Sequence, residues 1–266
     1  MSRRVLDAAA AWVARGVLVF LYVPIVAVVV LSFNDSDITY KWAGFSTRWY
    51  GELMGDTSLL EALRTSAEVA AISATLATVT GMLAIMGLVR LGPRLRALFS
   101  GAMFLPLVIP EIVLGVALLS VFGAMDATLG VTTLVAAHLV VTLPYATMIV
   151  FGAHQALDSS LEEAAADLGC NPWQAFRRVT LPLLRQALVA AWLLCFTISF
   201  GNIVMSTFTS GVGSTTLPLR VYSLLKSGLT PEINALGTLL VLFTFLVILV
   251  VGLRQMRQIL IGRSSS

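Results

Sequence analysis

The chain has 266 residues, of which 58% are hydrophobic and 12% are charged, and its formal net charge is +3. Soluble domains average about 45–50% apolar and about 25% charged residues, so this composition excludes an ordinary soluble domain and predicts an integral membrane protein. The apolar runs are continuous and longer than the alternating segments of about ten residues that build membrane barrels, so we expect helices as the spanning elements.

Six apolar runs are long enough to cross a bilayer, which takes about 20 residues. They cover residues 14–31, 65–89, 97–122, 131–151, 187–205 and 235–253. We therefore predict an all-α membrane protein with six transmembrane helices in a single domain over residues 1–266. The first run is longer than the apolar core of a signal peptide and no A-x-A-like site follows it, so we predict that it is an uncleaved span.

Basic residues are unevenly distributed among the connections. The two terminal segments and two of the five connections contain Arg3, Arg4, Arg15, Arg90, Arg94, Arg96, Arg177, Arg178, Arg185, Arg254, Arg257 and Arg263. The other three connections contain only Lys41, Arg48, Arg64, Arg220 and Lys226. Because cytoplasmic loops carry the excess of Lys and Arg, we predict cytoplasmic termini and a cytoplasmic connection between the fourth and fifth runs.

The first outward connection, residues 32–64, is rich in aromatic side chains. Trp42, Phe45, Trp49 and Tyr50 lie where the membrane interface is expected, which is a common place for such rings. This pattern predicts an interfacial helix that packs on the helical bundle, and contact with an external partner is the alternative.

Two carboxylates lie within or beside the apolar runs. Glu68 is near the start of the second run, and Glu111 follows the proline-broken segment 106–110 of the third. A carboxylate facing lipid costs a few kcal/mol, so we predict that both face the interior, where they would line a path for a cationic solute. The alternative is that Glu68 reaches the outer interface and Glu111 caps the helix that restarts after Pro110.

Three further residues, His138, Cys170 and Cys195, bear on chemistry. His138 has no carboxylate at helical spacing, so we predict an interhelical hydrogen-bonding group rather than a proton relay. Cys170 and Cys195 fall in different environments, which argues against a disulfide, and two cysteines do not make a metal site.

The predicted cytoplasmic connection contains an unusually charged segment, LEEAAADLGCNPWQAFRRVTLPL, at residues 161–183. Ser160 and Glu163 have the spacing of a capping box, so we predict that a helix begins there and ends at Gly169. Asn171 and Pro172 then form a second start signal.

The second helix is predicted to be amphipathic. Trp173, Phe176 and Val179 recur at three-residue spacing on one face, and Pro182 is predicted to interrupt the helix where the chain enters the membrane. A DNA-binding helix-turn-helix is excluded, because the first helix is acidic and both ends are tied to membrane spans. The physical pattern leaves two readings open, a cap that packs only on its own bundle and a docking surface for a cytoplasmic partner.

The same segment resembles the EAA motif of permease subunits of ATP-binding cassette (ABC) importers of type I. The residues that carry the resemblance are Glu163, Ala164, Ala165, Gly169, Leu181 and Pro182. The resemblance implies a type I permease fold in which residues 159–182 form a coupling helix docked on an ATPase. Glu163 would then contact the ATPase, Ala164 and Ala165 would permit close approach, and Gly169 would make the turn.

A wider resemblance covers most of the chain. The elements LYVPI, SFN, W-x-G-F-S-x-x-W-Y, P-x-x-x-P-E, STTLPLRVYS and TPEINAL are similar to the second permease of spermidine/putrescine-type importers. Relatives for iron, thiamine, opines, amino-acid derivatives or phosphonates share several of these elements and remain the alternative. One departure is Gly201-Asn202, where the polyamine family commonly has an acidic pair.

The resemblance implies a transport subunit of a bacterial inner membrane and a set of partners. These are a second permease, two ATPase subunits and an extracytoplasmic solute-binding protein, with no nucleic acid. We expect no cofactor in this chain, with ATP and Mg²⁺ on the ATPase, since no phosphate-binding G-x-x-x-x-G-K-[ST] motif is present. The H-E-x-x-H and G-x-S-x-G motifs of hydrolytic enzymes are also absent, and a secondary transporter would have no use for the EAA segment.

Overall fold

The computed structural model describes residues 3–38, 41–158, 160–227 and 231–243, together with residues 245, 246 and 249. The described residues are helical apart from connecting turns and one isolated bridge between Asn34 and Phe45. The helices are α1 Arg3–Leu31, α2 Arg48–Gly55, α3 Thr57–Arg90, α4 Pro93–Val108, α5 Glu111–Ala124, α6 Val131–Gln155, α7 Ser160–Asp167, α8 Pro172–Ala175, α9 Leu181–Phe200, α10 Ile203–Thr209, α11 Leu217–Ser227 and α12 Pro231–Phe243. A π-helical turn, Phe176–Thr180, joins α8 to α9.

Four helical runs among the described residues are long and apolar enough to cross a membrane. They are Ala11–Leu31, Thr57–Leu88, Val131–Gln155 and Pro172–Phe200. The bent pair of α4 and α5 makes a fifth if it is one span. These helices confirm the all-α membrane fold. The sixth predicted run extends past α12 into residues that are mostly outside the described part, so the count of six spans and the cytoplasmic termini stay predictions.

The third apolar run, residues 97–122, is not one straight helix. Its two halves, α4 and α5, are bent by 107°. Ile109 is extended, with φ −75° and ψ 130°, because the proline that follows it disfavours helical geometry, and Pro110 has no N–H to continue the helix. The predicted break is therefore confirmed at Pro110, whereas Pro106 lies inside α4.

The fifth run ends earlier than predicted. Its helix stops at Phe200 rather than at residue 205, and the separate short helix α10 begins at Ile203. Between them, Asn202 adopts an extended conformation and its side chain caps α10 by accepting from the N–H of Met205 at 2.8 Å.

The described residues fall into two compact units, one from Met1–Thr57 and Val221–Ser266 and the other from Ser58–Arg220. In the second unit, α3, α6 and α9 pack through small residues. Ala74, Ala77, Ala146 and Ala191 are fully buried in this core, as is usual where membrane helices approach closely without a hydrophobic driving force.

In the first unit, the chain before α2 is held by specific hydrogen bonds. The buried Trp49 donates its indole N–H to the carbonyl of Asn34 at 2.8 Å, and the hydroxyls of Tyr50 and Ser32 lie 2.7 Å apart. Trp42 and Phe45 are exposed. The helix predicted in this connection is confirmed as α2, and two of the four aromatic residues tie it to the preceding segment. Its place at the membrane interface and its packing on the bundle stay predictions.

Candidate coupling loop and intramembrane polar cluster

The first helix of the candidate coupling loop, α7, begins at Ser160 as predicted, but its cap differs from the prediction. The Ser160 N–H donates to Oδ1 of Asp158 at 2.9 Å, so Ser160 is the first helical residue and Glu163 does not close a capping box on it. The predicted box is wrong because an aspartate two residues upstream already accepts from that N–H. The Ser160 N–H stabilises the Asp158 carboxylate and holds its pKa below the usual value.

The turn after α7 is the one that the sequence predicts. Gly169 has a φ of +84°, a left-handed conformation that disfavours residues with a Cβ. Its N–H donates to the carbonyl of Ala166 at 2.9 Å, and the N–H of Cys170 donates to the carbonyl of Ala165 at 3.0 Å. This pair of bonds is the Schellman motif, which closes the helix and fixes the direction of the chain leaving it.

The second helix of the loop also begins as predicted. Asn171 accepts from the N–H of Gln174 at 2.9 Å, and the Gln174 side chain accepts from the N–H of Asn171 at 3.0 Å. Pro172 occupies the first helical turn. The predicted apolar face is buried at Phe176 and half-buried at Val179, whereas Trp173 is 61% exposed.

Pro182 does not interrupt this helix, which contradicts the prediction. The helical run is continuous over Pro172–Phe200. The π-helical turn immediately precedes Leu181, whose N–H donates to the carbonyl of Phe176, five residues back. Because a π turn is wider than an α turn, it moves the carbonyls that a proline ring would meet in a regular α-helix.

A hydrogen bond joins the two halves of the loop. The hydroxyl of Thr180, 2% exposed, donates to the carboxylate of Glu162 at 2.5 Å. The Glu162 side chain therefore bonds back to the π turn, although Glu162, Glu163 and Ala164 are all exposed and Ala165 is buried. Sequence reasoning singled out Glu163 and missed Glu162, although Glu162 and Ala165 have the three-residue spacing of one helical face.

The coupling loop leaves a cavity between itself and the helices α3, α6 and α9. A cavity of about 280 Å³ lies between α7 and the ends of α3, α6 and α9. Its polar lining includes His154, Glu162 and Thr180. The first helix of the loop is thus fixed by its cap, by the turn that follows it and by one hydrogen bond to Thr180, with a cavity between it and the bundle.

The second group of candidate residues lies at the two helix breaks. Glu111 is the first residue of α5, where a carboxylate is favoured by the helix dipole. The side-chain amide of Asn202 donates to the Glu111 carboxylate. The structure thus places Glu111 beside Asn202, which belongs to the Gly201-Asn202 pair where the polyamine family commonly has two acidic residues.

Asn202 connects Glu111 to a buried histidine. The Ser206 hydroxyl donates to the carbonyl of Asn202 at 2.7 Å and lies 3.3 Å from Nε2 of His138, whose Nδ1 lies 2.7 Å from the Ser199 hydroxyl. Since Ser206 has only one hydroxyl proton and gives it to Asn202, the bond between Ser206 and His138 is donated by Nε2. His138 is 2% exposed and bonds to two other helices, so its predicted interhelical role is confirmed.

Glu68, the other residue predicted to line the solute path, is more exposed than Glu111. Glu68 is exposed on α3, and within the described part of the chain no hydrogen bond or ion pair joins it to Glu111. Its assignment to a solute path stays a prediction. Cys170 and Cys195 are both free thiols, the first half-buried in the loop and the second buried in α9.

Comparisons with known proteins agree with this arrangement. Residues 75–259 match the family described as the binding-protein-dependent transport system inner membrane component. The chain is 41% identical over 229 residues to the putrescine transport system permease protein PotI of Escherichia coli strain K12, covering 83% of this chain and 81% of that protein. It is 40% identical over 225 residues to the spermidine/putrescine transport system permease protein PotC of Haemophilus influenzae, covering 85% and 88%.

A solved structure shares the fold. It is a bacterial alginate ABC transporter in complex with an alginate pentasaccharide-bound periplasmic protein, with a TM-score of 0.72, 14% sequence identity and coverage of 96% of this chain and 94% of that chain. At that identity the likeness concerns the fold alone. The family match over residues 75–259, together with the two relatives at 41% and 40% identity, shows that the chain belongs to the binding-protein-dependent transport system inner membrane components and is a permease subunit of the type I ABC importer class.

Proposed function

We propose that this chain is a membrane-spanning subunit of a bacterial inner-membrane importer that takes up polyamines of the putrescine and spermidine class. The support is the identity of 41% and 40% to permeases named for those solutes, over more than four fifths of each chain. Import proceeds by alternating access, with six spans and both termini in the cytoplasm.

The coupling loop transmits the ATPase cycle to the membrane helices. Its docking set is Glu163, Ala164, Ala165, Gly169, Leu181 and Pro182. Two observations support this role: Glu163 and Ala164 are exposed while the Glu162 side chain makes the bond to Thr180 within the loop, and both loop helices have closed caps. A stiff loop transmits displacement, and small side chains allow a second surface to approach closely.

The complete importer contains other chains. We infer a second permease, two ATPase subunits that hold ATP and Mg²⁺, and a solute-binding protein on the outer side. The family description names binding-protein dependence, and the alginate transporter with the same fold was solved with a periplasmic protein. Closure of the ATPase pair would draw the coupling loops together, and a differential contact with the two ATPase states would supply the coupling free energy.

Glu111 is the favoured contact for the cationic solute, with Glu68 as a second candidate along the path. The carboxylate of Glu111 is half-buried where α5 restarts and is held by one neutral amide. A carboxylate in this low-dielectric position attracts an ammonium group more strongly than one in water.

A related importer for another solute, an opine, amino-acid derivative, iron, thiamine or phosphonate, is the second candidate. The neutral Gly201-Asn202 pair favours it, because it removes negative charge that would attract a polyammonium ion.

Uptake of labelled putrescine and spermidine into vesicles carrying the complete complex tests the proposal. We expect ATP-dependent uptake that excess unlabelled polyamine blocks and that opines or thiamine leave unchanged. Uptake of one of these other solutes, without polyamine uptake, would establish the second candidate instead.

A further inference from the structure

Trp173 separates two concave surfaces on the unit Ser58–Arg220. One has a volume of about 520 Å³ and is lined by Leu83, Met86, Gly87, Asn171, Pro172 and Trp173. The other has a volume of about 540 Å³ and is lined by Trp173, Gln174, Arg177 and Arg178. The first surface is mainly apolar and the second is cationic, and the Trp173 ring belongs to both. Its indole is stacked on Phe176, with ring centroids 5.6 Å apart, which orients the ring between them.

Helix lengths place both surfaces at the edge of the bilayer. The helical run Pro172–Phe200 has 29 residues, which at ~1.5 Å per residue exceeds the ~30 Å thickness of the hydrocarbon core by about 13 Å. Because the sequence after Pro182 is the apolar part, the excess lies at the Trp173 end. Leu83 and Met86, which line the apolar surface, lie in the last turns of α3, and this helix ends at Arg90.

The two arginines of the cationic surface are available for a ligand. Both guanidinium groups are exposed, and neither makes an ion pair within the described part of the chain. They are adjacent in sequence on a π turn and line one surface. Arginine is well suited to phosphate, because its planar fork donates two parallel hydrogen bonds.

We propose that these two surfaces form one binding site for an anionic phospholipid. The headgroup phosphate binds Arg177 and Arg178, an acyl chain lies along Leu83 and Met86, and the Trp173 ring lies between them at the interface. A cationic surface next to an apolar one at this depth matches an amphiphile better than an acidic protein surface, which would leave the apolar part uncovered. The site contains none of the six residues assigned to ATPase docking, and it does not depend on which solute is carried.

Tryptophan quenching by brominated lipid tests the site directly. The complex isolated through a tag on this chain is placed in nanodiscs containing phosphatidylcholine with a small fraction of brominated phosphatidylglycerol or, in parallel, of brominated phosphatidylcholine. The chain has five tryptophans, so the contribution of Trp173 is the difference between the wild type and Trp173→Leu. We expect at least threefold stronger quenching of Trp173 by the brominated anionic lipid than by the brominated zwitterionic lipid.

Charge variants identify the headgroup contacts. The double variant Arg177→Gln/Arg178→Gln should lose the preference for the anionic lipid, whereas Arg94→Gln, an exposed arginine outside both surfaces, should retain it. Equal quenching by the two lipids, or an unchanged preference in the double variant, would overturn the proposal.

Two further experiments distinguish the lipid from a free anion and from a protein partner. Inorganic phosphate at millimolar concentration should not relieve the quenching, and relief would assign the arginines to a free anion. In the second experiment, the ATPase subunits are stripped from the complex. If neither lipid quenches Trp173 in the assembled complex but lipid quenches it after stripping, the surface binds a protein partner, which would also overturn the lipid site.

Discussion

Asn202 donates a side-chain hydrogen bond to the carboxylate of Glu111, a residue 91 positions earlier in the chain. The bond spans two helix breaks, the one at Pro110 and the one after Phe200. It places a neutral donor beside the acidic residue proposed for the solute path. Through Ser206, the same asparagine is connected to the buried His138.

The substitution Asn202→Asp separates the two roles of this residue. The aspartate would keep an oxygen to cap α10, but it would lose the amide donor to Glu111 and add a second negative charge beside it. We expect the apparent KM for putrescine uptake to fall about threefold, or ~0.7 kcal/mol, the size of a partly screened charge contact. Uptake at several putrescine concentrations in vesicles gives this value.

The variant Asn202→Ala is the control for that change. It removes the cap and the amide donor without adding charge, so it should destabilise α10 by about 1 kcal/mol and should not lower KM. An equal fall of KM in both variants would show that added charge is not the cause.

Gly169 should be sensitive to any side chain. Alanine at φ +84° carries a left-handed penalty of about 1–2 kcal/mol, which would loosen the turn between the two loop helices. We expect Gly169→Ala to lower transport-coupled ATP hydrolysis severalfold, and Gly169→Asn to lower it less, because asparagine tolerates this conformation.

Gly152→Ala is a matched control for the glycine change. Gly152 is exposed in α6, and a Cβ added there meets no atom within 4 Å. It should leave hydrolysis and uptake at wild-type levels. If Gly152→Ala and Gly169→Ala behave alike, the left-handed turn has no special role in coupling.

The Thr180–Glu162 hydrogen bond should hold the loop to the membrane helix. Thr180→Val removes this hydrogen bond at a cost of about 0.5–1.5 kcal/mol, because the exposed Glu162 carboxylate would bond water instead. We expect uptake to fall more than ATP hydrolysis, because the ATPase would still close while the loop moves with less effect on the bundle. The ratio of solute taken up to ATP hydrolysed measures this.

Thr197→Val provides the comparison for Thr180. Thr197 is exposed on α9, and its hydroxyl bonds the carbonyl of Leu193, four residues earlier on its own helix. Its replacement should preserve the ratio of uptake to hydrolysis. A preserved ratio in Thr180→Val as well would contradict the role given to the Glu162 bond.

The Asp158 cap predicts a pH dependence at the start of α7. The folded pKa of Asp158 is lowered because the Ser160 N–H bonds its carboxylate, so the cap stabilises α7 above the unfolded pKa and this contribution is lost as pH falls through the folded pKa. Amide hydrogen exchange at residues 161–163 should therefore accelerate, relative to intrinsic rates, below about pH 4. In Asp158→Asn, whose amide oxygen accepts the same bond without titrating, this extra acceleration should be absent.

The local parts of the loop could be predicted from sequence, because neighbouring residues determine them. Gly169 and the Asn171–Pro172 start signal behave as their side chains dictate. The predicted cap by Ser160 was wrong because Asp158 and Ser160 are both plausible acceptors for the helix N–H groups, and the sequence alone does not rank them. The predicted helix break at Pro182 was wrong because a π turn accommodates the proline, and no sequence pattern indicated that turn.

The tertiary contacts were beyond sequence reasoning. Nothing in the spacing of Glu111 and Asn202 or of Glu162 and Thr180 indicates a hydrogen bond, since each pair meets only through the packing or turning of separate elements. His138 was predicted correctly in kind, because a buried imidazole in a membrane helix needs polar partners, but its partners Ser199 and Ser206 were not identified.

We propose that the exposed face of α7 is the contact through which ATP hydrolysis drives transport. Substituting tryptophan for Ala164, which is exposed on that face, would block close approach of a second surface, whereas Ala156→Trp places the same bulk on an exposed residue just after α6. The most direct test is ATP hydrolysis by the complete complex, stimulated by loaded solute-binding protein, for both variants. We expect Ala164→Trp to abolish the stimulation and Ala156→Trp to retain it, and full stimulation in an assembled Ala164→Trp complex would exclude this face as the contact.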